Sequence, residues 1–310
     1  MRGAAALLAL ALAACSPAPA SEAPRQFPAI VSLNPCTDAI LAEVADPAQI
    51  LALSHYSHDA ASSSMDLATA RRFASTGGTV EEVLALRPDV VVSGNFMSPA
   101  TVGAMNRLGL RLEQLPIAST VAASKAQVRA LARIAGHPER GEALVARIEA
   151  ALAAAAPPPG AAPISAVVWQ SGGMVPGGDT LIAELLRRTG FASHSAARGL
   201  KQADILPLEA MLADPPAVIL TAGEPRANED RLLAHPALAA LKDTRRERLE
   251  PSLLWCGGPT IIRAVERLGE VRRMLLRRPR LDRGPLASSM RGRNDGASDP
   301  RVRGDDGLIQ

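Results

Sequence analysis

The sequence has 310 residues, which is enough for two domains of ordinary size, each with its own core. Its formal net charge is +3, and residues 277–310 carry this excess with eight arginines and five aspartates. The rest of the chain is formally neutral, so the composition gives no support to nucleic-acid binding. Residues 277–310 are also rich in Gly, Pro and Ser, and we predict that they form a disordered tail.

The first residues are typical of an export signal. Arg2 precedes an apolar run, Ala4–Ala14, that is too short to span a bilayer. The run ends in Leu-Ala-Ala-Cys, which resembles a bacterial lipobox, so residues 1–14 are predicted to be a lipoprotein signal peptide that is removed before Cys15. Lipidation of Cys15 would anchor the chain to an envelope membrane through a tether, residues 15–28. Ordinary signal cleavage, with Cys15 left unmodified, is the alternative.

Residues 29–118 alternate short apolar strands with helices. Strands are predicted at 30–33, 50–53, 90–92 and 110–115. Thr79 and Glu82 form a capping-box signature for the helix that precedes the third of these strands. This alternation favours a parallel sheet covered by helices on both faces, and we expect an N-terminal lobe of that kind.

Residues 119–160 are predicted to hold two linker helices. In the second, 138–156, apolar residues recur at helical spacing from Leu144 to Leu152, Pro138 suits the first helical position and three prolines follow the last. Nineteen residues at 1.5 Å each would span about 28 Å, roughly the width of a small domain. We expect this single long rigid helix to join two lobes.

The sequence on either side of the long helix repeats. Residues 81–93 and 209–221 share Glu, Leu, Ala, Pro and an apolar triplet at a constant offset of 128 residues, and residues 40–44 and 181–185 repeat at an offset of 141. Two repeats in the same order indicate two lobes of similar topology, the second over residues 161–276. The predicted fold is therefore α/β, with two lobes, each a parallel sheet flanked by helices.

The loops that follow the strands are the expected ligand site, because parallel α/β sheets bind ligands at the carboxyl ends of their strands. These loops carry almost no charge, yet they hold Tyr56, Phe96 and Trp255 out of only seven aromatic residues in the chain. Trp169 lies at the edge of another loop and is equally consistent with packing under the sheet. Flat aromatic faces beside backbone donors suit a large, planar, mostly neutral ligand. The candidate ligand-binding residues are Asn34, Tyr56, Gly77, Phe96, Gly172, Trp255 and Gly257.

Two other groups of residues on these loops have metal-binding chemistry. His55, His58 and Asp59 are of the right types, but they share one loop without a fourth partner, so solvated side chains are the favoured interpretation. Cys36 and Cys256 fall on loops of opposite lobes, and an exported chain enters a compartment in which disulfides can form. A disulfide across the cleft, ligation of a bound metal centre and two free thiols all remain open, and a disulfide requires Cα atoms within about 7 Å.

The sequence contains none of the common catalytic motifs. It has no nucleophile elbow, no phosphate-binding loop, no zinc-protease motif and no paired carboxylates on the cleft loops. We therefore expect a protein that is not an enzyme. The alternative is an exported two-lobe enzyme such as a transferase, which would use Asp38 as its acid or base.

Taken together, these features resemble the solute-binding proteins of ABC importers for iron–siderophores, haem and vitamin B12. The resemblance covers residues 30–276 and is most specific in Val-Ser-Leu-Asn-Pro at 31–35, in the loop 54–57 and in the repeated Glu-x-x-Leu-Ala-x-x-Pro-Asp-Val segment. It implies a class III architecture, small closing motions, and one glutamate per lobe that docks with basic residues of the permease. Those glutamates fall on Glu81 and Glu209; the alternative is that both acids only stabilise the start of a helix.

The resemblance also bears on the cargo. Tyr56 matches a tyrosine that contacts the corrin in vitamin B12-binding members, whereas Gly77 replaces an aromatic residue of those members, near the position where haem-binding members have a ligating tyrosine. Members for anionic siderophores tend to have arginine in the cleft, and the nearest candidates, Arg71 and Arg72, are expected on a helix. We expect a monomeric, lipid-anchored periplasmic receptor without an intrinsic cofactor. It would deliver a cobalt corrinoid or a ferric siderophore to the permease transmembrane subunits; haem or a free metal ion is the alternative cargo.

Overall fold

The computed structural model describes residues 25–223 and 235–277, which form two α/β lobes. The signal peptide, Cys15 and nearly all of the C-terminal tail lie outside these residues. The strands are β1 (Ile30–Ser32), β2 (Ile50–Ser54), β3 (Ser75–Thr76), β4 (Val90–Gly94), β5 (Leu112–Leu115), β6 (Ile164–Gln170), β7 (Met174–Pro176), β8 (Phe191–Ser193), β9 (Ala203–Ile205), β10 (Val218–Ala222) and β11 (Arg245–Arg248). The helices are α1 (Pro35–Val44), α2 (Leu67–Ala70), α3 (Val80–Leu86), α4 (Pro99–Arg107), α5 (Val121–Ala135), α6 (Pro138–Ala155), α7 (Leu181–Arg188), α8 (Leu208–Ala213), α9 (Pro236–Ala239) and α10 (Thr260–Arg277).

The N-terminal lobe is a five-stranded parallel sheet in the order β3-β2-β1-β4-β5. Its central strands are buried on both faces, which explains their continuous apolar sequence. Ile30 and Val90 face the core shared with the other lobe, whereas Val31 and Val91, which are paired in register, face a smaller core under α3 and α4. The alternation follows from the two-residue period of a strand.

The C-terminal lobe has a four-stranded parallel sheet in the order β11-β10-β6-β8. Its central strand β10 begins 128 residues after β4, and α8 begins 128 residues after α3. Each lobe has a smaller core on the face of its sheet away from the shared core, which we call its outer core. The offset also relates these two outer cores: Val83 corresponds to Met211 and Val91 to Ile219, and all four side chains are buried. The sequence repeat therefore reflects a structural repeat, as predicted.

A two-stranded antiparallel sheet of β7 and β9 also belongs to the C-terminal lobe, and the sequence pattern did not indicate it. Each strand has only three residues, and Ala203, Asp204 and Ile205 of β9 are all exposed, so there is no apolar alternation to detect. The edge strand β11, Arg-Arg-Glu-Arg, was also not predicted, because it is short and has no alternation of apolar and polar residues.

The long helix α6 joins the lobes and matches its predicted bounds to within one residue. It packs against α1, α5 and α10 through a buried stripe that includes Leu144 and Ile148. One continuous hydrophobic core includes this stripe together with residues of both sheets, such as Ile30 and Val168. The lobes are thus joined through a packed helical layer with α6 at its centre. Among the described helices, none combines the length and apolar character needed to cross a bilayer.

Candidate functional site

A cavity of about 560 Å³ lies where loops of the N-terminal sheet meet the segment that precedes α10. Five of the seven predicted ligand-binding residues line it: Asn34, Tyr56, Phe96, Trp255 and Gly257. Both cysteines also line it. The cavity therefore lies at the strand ends of the N-terminal sheet and is completed by residues 255–257 of the C-terminal lobe, whereas the predicted loop after β6 does not line it.

Gly77 and Gly172 lie outside the residues that line this cavity. Both glycines are exposed. Gly77 precedes α3, where a Cβ atom would meet the Glu82 carboxylate, and Gly172 adopts a left-handed conformation (φ 69°) in the turn between β6 and β7. Both glycines were predicted as binding residues because their loops follow the carboxyl ends of strands. In the structure, these two positions do not line the cavity that the other five candidates share.

Asn34 positions the first turn of α1 at the cavity wall. Its side-chain oxygen accepts a hydrogen bond from the Cys36 backbone N–H at 2.8 Å, which caps the helix, and Pro35 occupies the first helical position. Thr37 Oγ1 donates to the Asn34 carbonyl at 2.9 Å. These two hydrogen bonds at the start of α1 thus position Asn34, Cys36 and Thr37 in the cavity wall.

Asp38 holds the loop that presents Tyr56. It is fully buried, and its Oδ2 atom accepts hydrogen bonds from the Ser54 N–H at 3.1 Å and the Ser57 hydroxyl at 2.6 Å. Burial raises the pKa of the Asp38 carboxyl to about 8, against the opposing effect of its hydrogen bonds, so the group is largely protonated at neutral pH. Asp38 does not line the cavity. It is a positioning group, and the enzyme alternative loses the acid it required at the site.

Three aromatic side chains in the cavity wall are half exposed or more. The exposed fractions are 50% for Tyr56, 74% for Phe96 and 55% for Trp255. The His55 ring lies against Tyr56, with ring centroids 4.0 Å apart. Trp169, by contrast, is fully buried in the outer core of the C-terminal lobe, so it packs under the sheet. Exposed aromatic faces concentrated in one concave site are typical of a ligand-binding surface.

Cys36 and Cys256 form a disulfide bond, with their Cα atoms 5.0 Å apart. This resolves the three alternatives that the sequence left open, since bonded sulfurs are neither free thiols nor thiolate ligands. The bond joins the first turn of α1 to the segment that carries Trp255. Ser64 Oγ donates to the Cys256 sulfur at 2.8 Å.

Gly257 allows this segment to approach α5 closely. A Cβ atom at this position would collide with the side chain of Ser124, and the next residue, Gly258, donates its N–H to Ser124 Oγ at 2.7 Å. Ser124 is itself fully buried. The close contact explains why glycine follows the disulfide-bonded Cys256, and it brings the segment that carries Trp255 against α5.

One whole side of the cavity was not predicted from the sequence. This side is formed by Leu115 at the end of β5, by Pro116, Ile117 and Ala118 of the connection to α5, and by Gln127 of α5. The Gln127 side chain donates a hydrogen bond to the Pro116 carbonyl. The signal was available, because this connection also leaves the carboxyl end of a predicted strand. Ala61 and Ser62, beyond the Tyr56 loop, were missed as well.

No metal site forms on the histidine-containing loop. Within the described ranges, no group of three or more His, Cys, Asp or Glu side chains is arranged to hold a metal ion. Asp59 instead accepts hydrogen bonds from the Ser62 hydroxyl at 2.8 Å and the Ala61 N–H at 3.3 Å, and these bonds lower its pKa. His55, His58 and Asp59 therefore do not act as a ligand set in this structure.

Glu81 and Glu209 occupy matching positions in the two lobes. Each is the second residue of its helix, α3 or α8, and both side chains are exposed. Each precedes by two residues the side chain, Val83 or Met211, that anchors its helix to the outer core. The structure is compatible with docking by these acids, which remains a prediction.

Residues 30–249 match the sequence signature of the periplasmic binding protein family, and the chain belongs to that family. Members are periplasmic receptors that bind small ligands and work with the permease subunits of ABC importers. No curated protein matches the sequence at a significant level.

The fold is similar to solved structures of low sequence identity. A periplasmic haem-binding protein from Pseudomonas aeruginosa is 22% identical with a TM-score of 0.62, over 79% of this chain and 92% of that one. The periplasmic haem-binding protein RhuT from Roseiflexus sp. RS-1 is 21% identical with a TM-score of 0.64, over 79% and 98%. The vitamin B12-binding protein BtuF of Vibrio cholerae is 18% identical with a TM-score of 0.62, over 80% and 98%. These similarities establish the class III two-lobe fold.

Proposed function

We propose that the protein is the substrate-binding lipoprotein of an ABC importer and captures a metal chelate, a corrinoid or a ferric siderophore, in its interlobe cavity. The observation that carries this proposal is the exposed aromatic wall formed by Tyr56, Phe96 and Trp255, which both lobes contribute. A cavity of about 560 Å³ is of the size that small-molecule sites have, and it is open enough for a larger ligand to extend beyond it.

The similar structures support a chelate as cargo. Two of them are haem-binding proteins and the third is a vitamin B12-binding protein. Tyr56, which resembles the corrin-contacting tyrosine of vitamin B12-binding members, lines the cavity, whereas a tyrosine near Gly77, where haem-binding members ligate iron, is absent from the sequence. This favours a corrinoid over haem.

Delivery and anchoring complete the proposal. Glu81 and Glu209, one on each lobe, would contact basic residues of the two permease subunits, because matched acids suit a partner with two-fold symmetry. Lipidation at Cys15 would keep the receptor at the envelope membrane, with the tether allowing it to reach the permease.

Ligand titration tests the proposal directly. The chain beginning at Ser16 would be titrated with cyanocobalamin, ferric siderophores and haemin while tryptophan fluorescence is followed. Saturable one-to-one quenching by one chelate identifies the cargo class and supports the receptor. No binding of any chelate, in a protein shown to be folded by circular dichroism, contradicts the proposal.

A further inference from the structure

The described residues that line the cavity carry no formally charged side chain. Their polar groups are side-chain amides and hydroxyls, from Asn34, Thr37, Tyr56, Ser62 and Gln127. The remaining lining residues are glycines, prolines, bonded cysteines and apolar or aromatic side chains. A ligand in this cavity meets neutral hydrogen-bonding groups and apolar faces.

Charged groups close to this wall in sequence do not line the cavity. Those near Leu115 and Gln127 are paired with one another or with neighbouring helices: Arg111 with Glu113, Lys125 with Glu149 and Arg129 with Glu142. Asp38 is buried behind the wall and holds its proton at neutral pH, and Asp59 is engaged by Ser62 and Ala61. Arg71 and Arg72 are exposed at the end of α2 and do not line the cavity. Among the described residues, no cation is therefore placed in the wall to pair with an anionic ligand.

Transfer of a carboxylate from water into such a site is unfavourable. An ion buried without a partner of opposite charge loses several kcal/mol of solvation free energy, whereas an amide loses far less and regains it from neutral donors and acceptors. The cavity therefore discriminates between ligands of the same shape by their charge.

We propose that this cavity binds an uncharged face of its chelate, with apolar rings against the aromatic wall and amide or hydroxyl groups at the edge, and that it selects against carboxylates. The inference rests on the proposed function and narrows its cargo to amide-bearing or otherwise uncharged chelates. Carboxylate-rich siderophores, and haem held with both propionates in the cavity, are then poor ligands.

Two matched ligand pairs test the inference. Cyanocobalamin would be compared with its monocarboxylic acid, and haemin dimethyl ester with haemin, all at pH 7.5 and near-physiological salt. In whichever pair binds, we expect the member without the free carboxylate to bind at least tenfold more tightly. Equal or tighter binding of the acid would overturn the inference and leave the receptor function standing. No binding of any of these four ligands, or of the ferric siderophores titrated above, would remove the receptor function and this inference with it.

A placed cation provides the reciprocal test. Ala61 is exposed and lines the cavity, so Ala61→Lys introduces a positive charge at its edge, whereas Ala68→Lys introduces the same charge at an exposed position outside the lining. We expect Ala61→Lys to tighten binding of the acid several-fold without tightening binding of the partner ligand that lacks the free carboxylate, and Ala68→Lys to do neither. The same gain in both variants would mean that the charge acts at long range, and would overturn the assignment to this cavity.

Discussion

Cys36 and Cys256 are 220 residues apart in the sequence, yet a disulfide bond joins them in the wall of the cavity. The bond links α1 to the segment that carries Trp255, so the same covalent contact restrains both the chain and the ligand site. It lies beside the helical layer that already packs the two lobes together.

Loss of this disulfide is expected to lower both stability and ligand affinity. The double variant Cys36→Ser/Cys256→Ser should lose about 2–5 kcal/mol of unfolding free energy, because the bond closes a long loop. Chelate affinity should fall as well, since Trp255 is no longer restrained by its neighbour. Urea unfolding with and without reductant measures the first effect, and the double variant is the control because reductant should not change it. A wild-type protein whose unfolding is equally insensitive to reductant would contradict the bond.

Ligand-induced quenching of fluorescence is expected to come from one tryptophan. The chain has two, and Trp255 is 55% exposed in the cavity wall whereas Trp169 is fully buried in an outer core. Trp255→Phe should therefore abolish most of the quenching, and Trp169→Phe should retain it. Quenching that persists in Trp255→Phe and disappears in Trp169→Phe would place the ligand elsewhere.

Charge reversal at the two matched acids is expected to separate transport from binding. Glu81→Lys/Glu209→Lys should abolish chelate uptake in cells, because it sets like charges against the permease, and should leave the dissociation constant of the purified protein within about twofold. A control of equal charge change is Glu266→Lys/Glu270→Lys, on the exposed side of α10. Normal uptake by the first variant would rule out docking by these residues.

The raised pKa of Asp38 predicts a stability that depends on pH. From its ordinary value of 3.8 up to about 8, the folded protein retains a proton that the unfolded chain has released. The unfolding free energy of the wild type should therefore fall as pH rises through this window, by up to about 1.4 kcal/mol per pH unit. Asp38→Asn keeps a neutral acceptor for Ser54 and Ser57 and should remove this contribution. Urea unfolding at pH 5 and pH 8 compares the two proteins, and identical pH profiles would contradict the assignment.

Much of the fold was predictable because its signals are local. The bounds of α6 follow from a proline at its start, prolines after its end and an apolar stripe between them, and α5 ends as expected at Gly136, which adopts a left-handed conformation (φ 84°). The buried central strands were predicted for a similar reason, since three or four consecutive apolar residues stand next to turn residues. The short strands β3, β9 and β11 were not, because runs of two to four residues with few buried side chains do not differ from loops.

The sequence by itself determined the two-lobe repeat, the linking helix and the loops that carry the exposed aromatic residues, because strand and helix periodicity and a constant offset can be read along one chain. Only the tertiary structure decided which of those loops face one another. It brought Asn34, Tyr56, Phe96, Trp255 and Gly257 together, left Gly77 and Gly172 outside, and added the connection between β5 and α5. It also joined Cys36 and Cys256 in a disulfide, where the sequence allowed a disulfide, metal ligation or two free thiols. Such choices depend on distances across the packed helical layer, and no local pattern encodes a distance between residues that are far apart in the chain.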